Sequence, residues 1–307
     1  MHNSTEKPSL LIASGNTIHT VIHDEYTNVG LIDYSLMSNY IIWNDFHTDS
    51  FFIEKLDKAK PSQFSNKKQL LKSEIRALGF AVDWIHDLVY WTNLYELTVE
   101  VAHLANMNET TILVKNADEP RAIAVCVQSS LLFWTDCSHQ PKIESVFQDG
   151  TNRKVIVEKG LRYPFSLTID QIESRIYWLD GMQSEIYACD FDGRHRSLIV
   201  HSPQFLSHAN ALGVFGDTVY WSDWNHNSIT KVNKLQEASM LYQPIITLKA
   251  MLHDFKIVHS SKQPMSHNRC NSNQCSHLCL PHNESCYTCF CPPFHYISTN
   301  GFRCIAL

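Results

Sequence analysis

Short apolar runs that close on a polar residue recur along the chain. They are Ile41-Ile42-Trp43-Asn44-Asp45, Val89-Tyr90-Trp91-Thr92-Asn93, Leu132-Phe133-Trp134-Thr135-Asp136, Ile176-Tyr177-Trp178-Leu179-Asp180 and Val219-Tyr220-Trp221-Ser222-Asp223. Their tryptophans are 48, 43, 44 and 43 residues apart. Aromatic and β-branched residues suit a packed, pleated strand. Self-similarity at a period of about 40–50 residues, with strands inside each unit, predicts the blades of a propeller. The third unit shows the pattern most fully. Arg121–Val125, the Trp134 run, Lys142–Phe147 and Lys154–Val157 read as four strands, with an Asp149-Gly150 hairpin turn. The fourth unit repeats it with Ser166–Ile169, Ser184–Asp190, the Asp192-Gly193 turn and Ser197–Val200. The second supplies Ala77–Asp83 and Leu97–Leu104. The fifth supplies Ala211–Phe215, Ser228–Asn233 and Ile245–Leu248. In the first, the polar stretch Asp57–Ser73 reads as a surface loop that lengthens the spacing to Trp91.

A sixth unit is incomplete, since Asp254–Val258 is one strand and the chain then changes character. Near the other end, Leu10–Ala13 and Thr17–Ile22 read as two strands with no tryptophan run of their own. A ring of sheets that fails to close leaves raw strand edges. The reading is therefore all-β: a six-bladed propeller over residues 10–265, closed by the N-terminal strands, after a loose segment at 1–9. Within each run the tryptophan is expected to pack between neighbouring blades. The terminal Asp45, Asn93, Asp136, Asp180 or Asp223 is expected to bond backbone on the next blade.

Composition narrows the function. At 44% hydrophobic and 18% charged, 307 residues are ample for a large core. The net charge of −6 has no broad basic stripe, which disfavours nucleic acid. No apolar run reaches the roughly 18 residues of a membrane span, and Met1 leads into polar residues with no signal-peptide core. Seven of the ten cysteines fall between Cys270 and Cys304, a density that reads as a disulfide scaffold from an oxidising compartment. The sequons at Asn3, Asn108 and Asn283 agree with it. Together these point to a fragment of a longer secreted or membrane-anchored protein. Cys275, Cys279, Cys289 and Cys291, with His277 and His282, are weighed as zinc ligands and set aside for disulfides. No nucleophile elbow, P-loop or His-Glu-X-X-His motif is present, so no enzyme and no cofactor is expected.

The five runs resemble the Tyr-Trp-Thr-Asp repeats of low-density lipoprotein receptor-related proteins. The third repeat, Pro120–Val125 through Phe133-Trp134-Thr135-Asp136 to Asp149-Gly150-Thr151-Asn152-Arg153, is the nearest match. Asn93, Leu179 and Ser222 depart from the motif, which marks a divergent member. In that family the propeller precedes an epidermal-growth-factor-like module, and residues 266–307 resemble one. The resemblance implies the pairings Cys270–Cys279, Cys275–Cys289 and Cys291–Cys304. It leaves Cys286, with Cys126, Cys137 and Cys189 in the propeller, as free thiols or as a bridge from Cys286 to one of the three. Ser266-His267-Asn268-Arg269 lacks the carboxylates of the calcium-binding variant, so no metal is expected.

The resemblance also implies a role: a non-enzymatic ligand-binding and ligand-release module of an endocytic receptor for lipoprotein or yolk protein. Its partners would be lipoprotein, another secreted ligand, or neighbouring cysteine-rich repeats of the same receptor, with no direct membrane insertion. It would work on the extracellular side of the cell surface and in the endosome. Alternatives in the same family are a Wnt co-receptor-type propeller and a nidogen-like propeller that binds matrix. His208 matches one of the family's two pH-switch positions, while Ser184, which does not titrate, holds the other. His201 and His226 are substitutes to consider.

Overall fold

The computed structural model describes residues 9–14, 17–20, 29–45, 47–56, 64–72, 76–235, 242–248, 252–271, 274–283, 285–292 and 294–307. Five four-stranded antiparallel sheets follow one another along the chain. The first holds β3 (Val29–Ser35), β4 (Tyr40–Asp45), β5 (Ser50–Leu56) and β6 (Phe64–Lys72). The second holds β7 (Ala77–Asp83), β8 (Leu88–Asn93), β9 (Thr98–His103) and β10 (Asn106–Val114). The third holds β11 (Pro120–Cys126), β12 (Leu131–Asp136), β13 (Lys142–Phe147) and β14 (Lys154–Val157). The fourth holds β15 (Pro164–Asp170), β16 (Arg175–Asp180), β17 (Glu185–Asp190) and β18 (Ser197–His201). After a short helix, α1 (Pro203–Leu206), the fifth holds β19 (Ala209–Phe215), β20 (Thr218–Asp223), β21 (Ser228–Asn233) and β22 (Gln243–Thr247).

The first strand of each sheet lies against the first strand of the next: β3 on β7, β7 on β11, β11 on β15 and β15 on β19. The remaining gap holds β23 (Leu252–Val258), which contacts both β19 and β3. It carries β1 (Ser9–Ser14) and β2 (Thr17–Thr20) beside it in a three-stranded sheet, with β1 paired antiparallel from Ser9↔Val258 to Ser14↔Leu252. Among the described residues the architecture is thus five full blades and this smaller sheet, where the sequence predicted six. Residues 1–8 of the expected loose N-terminus, Asn3 included, lie outside the described residues, and Ser9 opens β1.

The five tryptophans of the repeat are fully buried. Each one packs on the sheet before it. Trp91 shares a cluster with Phe51, Trp134 with Tyr90 and Val99, Trp178 with Phe133 and Ile143, and Trp221 with Tyr177 and Leu179. Trp43 packs with Val29, Ile32 and, across the closing sheet, Val258.

The side chain at the end of each run, a carboxylate in four and the Asn93 amide in the second, behaves differently from the expectation. Asp45 accepts from His47 N and Thr48 N, Asn93 from Tyr95 N and Glu96 N, and Asp223 from His226 N. Asp136 accepts from Ser138 N and Glu119 N, and Asp180 from Arg162 N, Tyr163 N and Gln183 N. These are bonds within the residue's own blade. A short side chain at a strand end reaches the turn amides two and three residues on before it reaches a neighbouring sheet. The bonds between sheets come from the inner strands: Asp33 accepts from Val82 N at 2.9 Å and Asp254 from Ile32 N at 3.1 Å. Thr92 also donates across, to Arg121 O at 2.6 Å.

Two strands correct the sequence reading. Part of the expected Asp57–Ser73 loop is β6, paired along β5, and β10 follows the second unit's third strand. Both are outermost strands. An antiparallel strand at a sheet edge can leave one face to solvent, so a polar sequence such as Ser65-Asn66-Lys67-Lys68 is compatible with pairing.

Beyond β23, a 3-10 turn at Ser260–Lys262 leads to a disulfide-rich module. It is built of β24 (Leu278–His282), β25 (Cys286–Phe290), β26 (His295–Ile297) and β27 (Cys304–Ala306), paired as two hairpins. Its disulfides are Cys270–Cys279, Cys275–Cys289 and Cys291–Cys304. Leu278, Leu280 and Phe290 pack on Trp84, Ile85, Val127, Leu132 and Val146 at one end of the second and third blades. Among the described residues no helix is long and apolar enough to cross a membrane.

Candidate functional site

A channel runs down the axis between the inner strands. Where those strands begin it opens into a mouth of about 350 Å³, and near their other ends a second cavity measures about 120 Å³. Both are lined by Phe80, Ile123, Leu167, Leu212 and Lys256, so they are two ends of one passage. The far end is stopped by Lys262, whose Nζ donates to Ile169 O at 3.0 Å and Val214 O at 3.2 Å. Burial pulls the Lys262 ammonium down to about 8.

The mouth is set by one register position. Leu78, Arg121, Phe165, Asn210 and His253 each hold the second place of β7, β11, β15, β19 and β23, and all line the opening. The Arg121 guanidinium lies 5.0 Å from the Tyr163 ring centroid and 5.3 Å from that of Phe165, within cation–π range. Its Nε is buried without a hydrogen-bond partner. Trp224, 39% exposed, meets Phe165 edge-on at 6.3 Å. Opposite stand Asp254 and Lys256, paired at 3.0 Å, while Asn210 Nδ2 donates to Leu252 O at 3.0 Å. Burial lowers the affinity of His253 for a proton, and the Asp254 charge opposes that. Deeper, burial pushes the Asp33 carboxyl up to about 6 against the pull of Lys256. The chemistry on offer is recognition: an aromatic wall, a guanidinium held against it and a small set of fixed charges.

The residues singled out from sequence are placed as follows. His208 is exposed on the turn before β19, its Nδ1 3.0 Å from Ser207 Oγ, and its carbonyl accepts from Trp224 N at the rim of the mouth. His201 pairs with Glu185 at 3.2 Å and His226 with Asp223 at 3.0 Å. Ser184 stands at positive φ, and its carbonyl accepts from Ser202 N. Cys126, Cys137 and Cys189 are buried free thiols and Cys286 is an exposed one, so no bridge joins them. Burial raises all three buried thiols, Cys137 and Cys189 to about 12, which keeps them protonated and unreactive. Asn108 lies in β10, and Asn283 sits at φ 51 in the β24–β25 turn. Among the described residues no three His, Cys, Asp or Glu side chains are grouped to hold a metal.

Sequence reasoning missed the mouth residues. For three of them the signal is the repeat itself, because aligning the second, third and fourth units on Trp91, Trp134 and Trp178 brings Leu78, Arg121 and Phe165 into one column, whereas Asn210 falls two places out of that column and β23 has no tryptophan run.

Comparison with known proteins agrees with this architecture. The description "low-density lipoprotein receptor repeat class B" matches residues 130–171, which span β12, β13 and β14 of the third blade and β15, the first strand of the fourth. The chain is 28% identical over 272 residues to vitellogenin receptor Yl of Drosophila melanogaster, covering 88% of this chain and 13% of that protein. It is 26% identical over 257 residues to the vitellogenin receptor of Solenopsis invicta, covering 84% of this chain and 14% of that one. It thus spans about a seventh of the length of these relatives. One chain in the crystal structure of a nidogen/laminin complex shares the fold, with a TM-score of 0.69, 19% identity, and coverage of 82% of this chain and 98% of that one. Its repeated tryptophan strands close into a propeller that carries the low-density lipoprotein receptor class B repeat at residues 130–171, and along most of its length the chain is similar to these two vitellogenin receptors.

Proposed function

We propose that the chain is the extracellular ligand-binding module of an endocytic receptor of the lipoprotein or yolk-protein class, and that it holds a protein ligand at the channel mouth. The observation that carries this reading is the mouth itself. Arg121 offers an unpaired, buried Nε between Tyr163 and Phe165, with Trp224 exposed beside it. A projecting loop of a partner, presenting a carboxylate or carbonyl beside an apolar side chain, pairs with the guanidinium charge and covers the exposed Trp224 ring. The vitellogenin receptors that the chain resembles supply the receptor class. In this reading the three-stranded sheet is the sixth blade, residues 10–265 are the propeller and 266–307 form an epidermal-growth-factor-like module. The protein works at the cell surface and in the endosome.

The test is binding by the secreted 307-residue chain, immobilised and titrated with yolk lipoprotein and with cysteine-rich ligand repeats. Arg121→Ala and Trp224→Ala are each expected to weaken binding by about tenfold or more, the usual loss for a buried anchor. Binding unchanged in both variants overturns the mouth as the site. Selective binding to laminin or to a Wnt-type ligand overturns the receptor class.

A further inference from the structure

One position in the turn between the third and fourth strands of a blade closes the seam to the blade before it. Its backbone N–H identifies it by donating to the turn between the first and second strands of the same blade. The bonds are Leu104 N to Asp87 O, Gln148 N to Ser130 O, Phe191 N to Ser174 O and Lys234 N to Asp217 O. In three of these blades the side chain reaches back across the seam. Gln148 Nε2 donates to Asp83 at 2.6 Å and to Tyr90 Oη at 3.0 Å. The Phe191 ring lies 4.9 Å from that of Phe133, and Lys234 Nζ donates to Glu173 at 2.7 Å and to Tyr177 Oη at 3.2 Å. In the second blade the position holds Leu104, a shorter side chain, with Ala105 after it. Leu104 packs against the core that Phe51, Phe80 and Trp91 form between the first two blades, and it stays half-buried. Beside it the seam opens into a groove of about 640 Å³.

Tyr40, Ile53 and Leu70 of the first blade line this groove opposite Leu104 and Ala105. Lys55 and Lys68 stand on the same wall. Lys55 lies opposite Tyr40 on the neighbouring strand and Lys68 opposite Ile53, and cross-strand partners share a face. Both lysines are exposed. They sit on β5 and β6, the outer strands of the blade, and β6 carries Lys67 and Lys72 as well, so the outer rim is positive. Two carboxylates also border the groove. Glu54 is buried and accepts from Trp43 Nε1 at 3.0 Å, while Asp87 stands at the inner end and accepts from Ser38 Oγ at 3.0 Å.

We propose that this groove binds a long-chain fatty acid. The alkyl chain lies along Tyr40, Ile53, Leu70 and Leu104, and the carboxylate meets Lys55 and Lys68 at the outer rim. The volume falls within the roughly 300–1,000 Å³ of small-molecule sites. The chain gains by leaving water, and two neighbouring ammonium groups favour an anionic head over a neutral one. A neutral amphiphile buries its chain but leaves the lysines unanswered, and a small anion answers the lysines but leaves the apolar walls wet. The groove lies in the outer part of one seam, away from the axial mouth, so the two sites are tested separately.

Isothermal titration of the full chain with oleate, kept below its aggregation concentration, is expected to show one saturable site. Oleyl alcohol has the same chain without the charge, and acetate has the charge without the chain. Each is expected to bind at least about tenfold more weakly, the scale of one lost charge-assisted contact. Lys55→Gln combined with Lys68→Gln alters two exposed positions, so it is expected to weaken oleate about tenfold and leave the thermal midpoint in place. Leu104→Phe gives the second blade the residue that the fourth holds at this position, and is expected to close the groove and abolish binding. Arg121→Ala, at the mouth, is expected to bind oleate as the unaltered chain does. Absence of saturable oleate binding overturns the proposal. So does equal binding of oleyl alcohol or acetate, or oleate binding undiminished in the lysine double variant or in Leu104→Phe. Loss of oleate binding in Arg121→Ala places the ligand at the mouth and overturns it as well.

Discussion

Asp33 shows how a single residue can bind neighbouring blades and still carry a cost. Its two oxygens accept Tyr34 N and Val82 N, which ties β3 to β7, yet burial pushes the carboxyl up to about 6. Unfolded, an aspartate titrates near about 3.9. The folded protein therefore binds this proton more tightly than the unfolded one. The sign follows: the destabilisation is fully present above about 6, is relieved as the pH falls through that value, and is gone below about 4. Between pH 7 and pH 5 the gain is roughly 1 kcal/mol. Asp33→Asn keeps an oxygen acceptor and cannot titrate. Urea midpoints of both proteins at pH 7 and pH 5 should therefore differ by a gain present only in the unaltered chain. Equal pH slopes would show that Asp33 is ionised throughout this range. Histidines contribute to the slope of both proteins, so the difference isolates Asp33.

At the scale of the strand, the tightest constraint is the approach of β7 to β11. A Cβ at Gly79 would stand 2.5 Å from Arg121 O and 2.9 Å from Ile123 N, both backbone atoms that cannot swing aside. Gly79→Ala must push the second and third blades apart at the mouth. Overpacking of this kind costs about 1–3 kcal/mol. It also moves Arg121, so this variant is expected to lose both thermal stability and ligand affinity, whereas Trp224→Ala loses affinity alone. A calorimetric scan beside a binding titration separates the two.

The same pair of strands shows what was legible in the sequence. The tryptophan runs located β4, β8, β12, β16 and β20, because a fully buried strand must be apolar on both faces. Gly79, Arg121 and Asp33 carried no such mark. Their roles depend on which strand lies beside them in the ring, a long-range fact that local periodicity does not encode. The outer strand β6 was hidden for a related reason, since its residues are mostly polar and only its pairing along β5 marks it as a strand. The mouth residues were hidden because they differ in type from one repeat to the next, Leu78, Arg121, Phe165, Asn210 and His253, whereas the packing tryptophan does not.

At the scale of the whole molecule, the propeller and the C-terminal module share one core. Leu278 and Leu280 are buried in the same cluster as Trp84, Ile85, Val127 and Trp134, and Arg269 is buried among the carbonyls of Val127 and Gln128. The module itself is small and depends on its three disulfides for a fixed shape. Reducing them should unfold the module and bare the apolar end of the second and third blades. A chain ending after Met265 should do the same by deletion. Fully burying one large apolar side chain stabilises by about 1.5–3 kcal/mol, so losing the buried Leu278 and Leu280 from this contact should cost the propeller about 3–6 kcal/mol, with a smaller share from the half-buried Phe290. The two treatments should therefore converge. Reductant should lower the thermal midpoint of the full chain toward that of the truncated chain, and should leave the truncated chain unmoved, because the three propeller cysteines are already free thiols. A full chain indifferent to reductant would mean that the module adds nothing to propeller stability. A truncated chain sensitive to it would mean that a disulfide lies within the blades.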